Sequence, residues 1–179
     1  HLDLYIGTYK QCRKKWQKMF EHSFKYSIFE EYVEIDNLII KEIKKIKLKK
    51  DQNIPNMNLN SFYEVNKSFD NLIEKKLNHI FKKYKLKLDS CWIQKYLKNS
   101  YHNLHTHGVE NKSFVWFIEG SKKSSPLCFY DVSYPIINTK QSFKFKFIPG
   151  TLIIFPGFIP HEVKPNKDNK RLIVSGNVI

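Results

Sequence analysis

The chain has 179 residues, of which 41% are hydrophobic and 15% aromatic, enough to close one core without a disulfide or zinc staple and too apolar for a disordered chain. Thirty-one basic against 17 acidic groups give +14, but the excess is even, +7 in residues 1–90 and +7 in 91–179, so no arm or tail marks a nucleic-acid binder. No apolar run approaches the ~20 residues of a membrane-spanning helix; the longest candidate, 151–160, is broken by Pro156 and Gly157.

The first half predicts helices. Over residues 8–24 the apolar positions Cys12, Trp16, Met19, Phe20 and Phe24 recur at steps of three and four, one stripe of a helix. Asp36 suits the N-cap of a second helix, 36–48, with Ile39, Ile43 and Ile46 on one face. An Asn-rich stretch follows (Asn53, Asn56, Asn58, Asn60, with Pro55) and reads as a loop. A third helix, 68–85, begins at Ser68 and puts Phe69, Leu72, Ile73, Leu77, Ile80, Phe81 and Tyr84 on one side and lysines opposite.

After Asp89 short apolar and β-branched runs take over, at 91–97, 113–119, 127–131, 143–148, 151–155, 161–164 and 172–178. Turn residues separate them, notably Pro149-Gly150, Pro156-Gly157 and Pro165-Asn166. Phe143, Phe145 and Phe147 alternate with lysines, so one face is expected to be buried and the other wet. Trp116 and Phe117 must face opposite ways, one into a cavity and one toward the helices. Seven such strands predict a sandwich or barrel. The whole reads as one α+β domain over 1–179: residues 1–89 form helical support, and residues 90–179 form a barrel core.

Four of the seven histidines fall in the second half. His105 and His107 are two apart, so in extended chain both rings point the same way and can grip one metal ion. His161, after a turn at Gly150, a strand and the turn Pro156-Gly157, supplies a third imidazole. His102 sits at the wrong parity relative to His105 and is expected to be exposed. Arg171 opens the apolar run Arg171-Leu172-Ile173-Val174, an unexpected place for a guanidinium unless it has an anionic partner inside. Its planar fork matches a carboxylate. A metal with a carboxylate clamp nearby implies a small acid bound at the metal.

Here the second half resembles the iron(II)/2-oxoglutarate-dependent oxygenases, in particular their small prolyl-hydroxylase-like, phage and marine-bacterial type. The resemblance runs over residues 90–178. It rests on the segments 92–96, 103–107, 113–118, 126–131 and 149–156, on His161, and on Arg171 with the strand after it. It implies a double-stranded β-helix (a jelly-roll, cupin-like barrel) with helices supporting one sheet. It also implies Fe(II) as the metal, 2-oxoglutarate as co-substrate, and hydroxylation of a small-molecule or peptidyl substrate by dioxygen. Carried over by position, His105 and His161 are iron ligands, His107 the third, and Arg171 the co-substrate clamp; Tyr96 donates a hydroxyl to 2-oxoglutarate. The family's usual pattern is His-x-Asp or His-x-Glu, so His107 is a departure. Glu110 and Asp131 are the carboxylates available in its place, with Asp131 read as a turn residue.

Two other readings compete. A cupin would use His105, Glu110 and His161, with or without His107, together with Gly150 and Pro156, without 2-oxoglutarate and without a role for Arg171; Glu110→Ala would then abolish metal binding, whereas in the oxygenase reading it does little. A basic nucleic-acid-binding module would use the lysine-rich face of 41–50, and salt would weaken its binding steeply. Three cysteines, odd in number and never in a CxxC pair, point to a reducing compartment. With no charged-then-apolar leader after His1, a cytoplasmic setting is expected.

Overall fold

The structure, a computed structural model, describes residues 26–50, 57–109, 111–132 and 138–179. The helix expected over 8–24 and the candidate Glu110 lie outside these residues. In chain order the elements are β1 (Phe29–Tyr32), α1 (Asn37–Lys45), β2 (Lys49–Lys50), β3 (Met57–Asn58), β4 (Asn60–Phe62), α2 (Lys67–Lys83), β5 (Leu88–Tyr96), β6 (Tyr101–His105), β7 (Lys112–Glu119), β8 (Leu127–Asp131), β9 (Asn138–Phe145), β10 (Thr151–Pro156), β11 (His161–Val163) and β12 (Arg171–Val178).

Both helices are written by caps and stripes. Asp36 caps α1, its Oδ1 accepting from the Ile39 N–H at 3.0 Å, and Ile39 and Ile43 are the buried positions. In α2 the cap is Asn66, one residue earlier than Ser68 allows for, with Oδ1 accepting from Phe69 N–H at 3.2 Å. Phe69, Ile73, Leu77, Ile80 and Phe81 form its buried stripe. Lys76 bridges back to Asp36 at 2.8 Å and so fastens the two helices together.

The strands form two sheets. The larger has the order β1-β10-β7-β12-β5-β4-β2 and the smaller β3-β6-β11-β8-β9. All pairings are antiparallel, so this is an α+β double-stranded β-helix with a sheet-dominated core. Residues 29–62 contribute four strands, β1–β4, beyond the helices expected there; part of the Asn-rich stretch becomes β3 and β4. These runs are two to four residues long and are selected by an adjacent strand edge rather than by any pattern of their own.

Two cores result from strand parity. One lies between the helices and the large sheet and contains Ile39, Ile73, Leu77, Phe81, Phe114 and Trp116. The other fills the barrel with Phe117, Phe129, Phe145, Phe155 and Ile173. Trp116 is thus the helix-side residue and Phe117 the interior one, and burying each such side chain contributes about 1.5–3 kcal/mol. The alternation over 143–147 holds for Phe145 and Phe147, whereas Phe143 is 61% exposed. It lies on β9, the edge of the small sheet, and meets Phe145 edge-on at 4.9 Å. Among the described residues no helix is long and apolar enough to cross a membrane.

Candidate metal and co-substrate site

Two neighbouring strands build the deep wall. Antiparallel β5 and β12 place Trp92 opposite Ser175, Gln94 opposite Ile173 and Tyr96 opposite Arg171. All six share one face by the two-residue period of a strand, and that face is the barrel interior. Facing them, β6 and β11 pair His105 with His161. His107 lies beyond the end of β6 and is positioned by backbone: its N–H donates to Gly157 O at 2.7 Å, and Gly157 N–H donates to Asn111 O at 2.9 Å.

The ring nitrogens of His105, His107 and His161 come within 4.8 Å of one another, a group that could hold a metal ion. Two tautomers are set by the surroundings. His105 Nδ1–H donates to Asn103 O at 2.7 Å, and His161 Nδ1–H donates to Ile159 O at 2.8 Å. Each therefore keeps the lone pair on Nε2, free for a cation. Nε2 of His161 stands 3.2 Å from Nε2 of His107. Two imidazole nitrogens side by side on one metal, each ~2.1 Å from it, stand about 3 Å apart.

His102 corrects the sequence reading, which put it in solvent. Between His161/Val163 on β11 the register shifts, and their partners on β6 are His105 and His102, three residues apart. That bulge restores His102 to the parity of His105 and turns Asn103 and Leu104 outward. The His102 ring stacks on His105 at 3.7 Å with a 12° tilt. Asp131 is no ligand in this arrangement. It is the exposed last residue of β8 rather than a turn residue.

Arg171 is wholly buried. Its guanidinium carbon lies 4.3 Å from the Tyr96 ring centroid, 5.3 Å from that of Phe147 and 5.8 Å from that of Phe117. Nε donates to Ser125 O at 3.1 Å, while Nη1 and Nη2 have no hydrogen-bond partner among the described residues. An uncompensated buried cation is costly, so this fork is built for an anion. Tyr96 O–H donates to Gln94 Oε1 at 3.3 Å, and Gln94 Nε2 donates to Tyr63 Oη at 2.8 Å. Ser175 Oγ, also buried on this wall, has no partner among the described residues. Sequence reasoning missed Gln94 and Ser175, although the parity of each with Tyr96 and Arg171 was available.

Burial keeps the imidazoles neutral. It pushes His107 down to about 4, helped by His105, and His102 down to about 3, helped by His105, His107 and Arg171. His161 and His105 are lowered by burial as well. A histidine whose folded pKa is depressed is protonated in the unfolded chain first, near pH 6.5. Stability of the metal-free protein is therefore full above pH 6.5 and is lost as pH falls from there through 4 toward 3. Thermal unfolding after chelation is expected to show Tm dropping by several degrees between pH 7 and 5, and less in His102→Phe; a level Tm would contradict the burial of these rings.

Residues 90–177 match a family profile described as "Putative 2OG-Fe(II) oxygenase". A search of curated proteins gives no match. Among solved structures, a prolyl-4-hydroxylase from Pseudomonas putida superposes with a TM-score of 0.61 at 13% identity, covering 86% of this chain and 92% of that one. The viral collagen prolyl hydroxylase of Paramecium bursaria Chlorella virus-1, in its 2-oxoglutarate complex, gives 0.58 at 13% identity over 84% and 94%. HygX of Streptomyces hygroscopicus, with nickel, 2-oxoglutarate and hygromycin B bound, gives 0.65 at 8% identity over 86% and 82%. These likenesses carry the fold, and the profile match carries the relationship: the chain belongs to the family of iron(II)- and 2-oxoglutarate-dependent oxygenases.

Proposed function

We propose that this protein is a hydroxylase in which His105, His107 and His161 hold the iron, Arg171 holds the remote carboxylate of 2-oxoglutarate, and Tyr96 donates its hydroxyl to the same co-substrate. Residues 90–179 carry the site and residues 1–89 buttress it, as one domain. The observation that carries the reading is the buried Arg171 fork, whose two terminal nitrogens have no hydrogen-bond partner among the described residues, on the wall that faces three converging imidazoles. Both groups fit what they would hold: neutral imidazoles suit iron, and the planar fork suits a carboxylate.

When bound, iron and 2-oxoglutarate supply the activation of dioxygen, converting 2-oxoglutarate to succinate and CO2 and placing one oxygen atom into a C–H bond of the substrate. The chain's own part is positional. Asn103 and Ile159 carbonyls hold two rings in the ligating tautomer. Tyr96, Phe117 and Phe147 surround Arg171 and exclude water, which strengthens its grip on a carboxylate. Trp92 lies beside His107, ring centroids 5.8 Å apart, and presents a flat apolar surface where a small-molecule or peptidyl substrate approaches.

The test is anaerobic titration of Fe(II) with and without 2-oxoglutarate, followed in the visible range. A weak charge-transfer band that saturates near one equivalent of co-substrate is expected, with succinate formed once air is admitted. Folded protein that binds metal but never develops the band would favour the cupin reading.

A further inference from the structure

Charge is unbalanced at this site. The three converging side chains are imidazoles, and no carboxylate of the described residues joins them. Glu162 follows His161 directly and so faces away from the barrel, where it accepts from the Tyr130 hydroxyl. Asp131 is exposed at the strand end. Arg171, also a cation, is a buried charge of the same interior, and two of its nitrogens have no hydrogen-bond partner among the described residues. A divalent metal would therefore bring the interior to three positive charges with no protein anion among the described residues to offset them. A dianionic 2-oxo acid cancels two of the three, and each positive centre is then needed by the other's ligand.

We propose that His107, standing where a carboxylate would neutralise half of the metal's charge, makes metal binding conditional on the dicarboxylate, so that iron and 2-oxoglutarate bind as one unit. This rests on the site assignment proposed above. Low dielectric magnifies the effect, since unit charges a few ångströms apart interact far more strongly inside a protein than in water. By linkage the coupling is reciprocal: 2-oxoglutarate tightens the metal by the same factor as the metal tightens 2-oxoglutarate. A protein built this way binds iron weakly when the co-substrate is scarce, and its iron content follows the supply of a 2-oxo dicarboxylic acid.

The experiment is anaerobic calorimetry of Fe(II) with the full chain, alone and with saturating 2-oxoglutarate, compared across wild type, His107→Asp, Arg171→Gln and Glu110→Gln. In wild type the co-substrate is expected to tighten Fe(II) about a hundredfold or more. His107→Asp supplies the missing negative charge: Fe(II) alone binds more tightly, and the coupling factor falls about tenfold. Arg171→Gln removes one of the three positive charges, so Fe(II) alone again binds more tightly although 2-oxoglutarate is lost. Glu110→Gln leaves Fe(II) affinity unchanged. Equal coupling in wild type and His107→Asp, or strong Fe(II) binding that disappears in Glu110→Gln, overturns the proposal while leaving the oxygenase reading intact. Failure of wild type to bind Fe(II) and 2-oxoglutarate together in any order overturns both.

Discussion

Arg171→Met is expected to stabilise the metal-free protein by about 1–4 kcal/mol and, in the same molecule, to weaken 2-oxoglutarate binding by about a hundredfold or more. Arg171 is fully buried, and its Nε donates to Ser125 O at 3.1 Å. The faces of Tyr96 and Phe147 at 4.3 and 5.3 Å offset part of the desolvation, but two terminal nitrogens stay unpartnered among the described residues. Methionine fills much of the volume of the arginine stem and leaves no charge behind; the losses are the charged bond to Ser125 O, about 1.5–3 kcal/mol, and the contacts of the cation with the ring faces. The co-substrate, in contrast, loses a two-pronged charged bond in a dry site. Arg171→Lys keeps the charge without the fork and is expected to fall between the two for binding. Thermal unfolding in chelator, paired with calorimetry of 2-oxoglutarate in the presence of Fe(II), reads both effects. A variant less stable than wild type, with undiminished co-substrate affinity, would show that the guanidinium serves the fold instead.

Gly157→Ala is expected to cost metal affinity about 10–100-fold, although the substituted residue ligates nothing. A Cβ at Gly157 would lie 2.8 Å from Asn111 O, 3.0 Å from Gly108 O and 3.4 Å from the His107 Cβ. Two of those neighbours are backbone, so the segment carrying His107 must move. It cannot move freely, because His107 N–H and Asn111 O both bond to Gly157. Gly108 completes the turn at φ +97°, a conformation that side chains of L-residues strain. The displacement therefore passes to the His107 ring, whose Nε2 lies 3.2 Å from that of His161. Fe(II) calorimetry alongside Tm separates the outcomes: large loss of affinity with a modest change in Tm is expected. Unchanged affinity would mean that His107 is not held by this clasp, or is not a ligand.

Much of this site is legible in the chain because it is written in residues that are out of place. An arginine within Arg171-Leu172-Ile173-Val174 and two histidines two apart each contradict their local pattern, and such contradictions point to a ligand. The stripes of α1 and α2 and the runs of β7, β10 and β12 are equally plain, since burying one face imposes a period that survives in the sequence. Other features belong to pairing rather than to pattern. His102 reaches the site only because β6 bulges against β11, and a bulge depends on which strand lies alongside. β1–β4 are too short to carry a period, and Trp116 and Phe117 take their sides from whichever layer covers each face. Local repetition records which residues must leave water; register and close backbone approach, as at Gly157, exist only once distant segments are in contact.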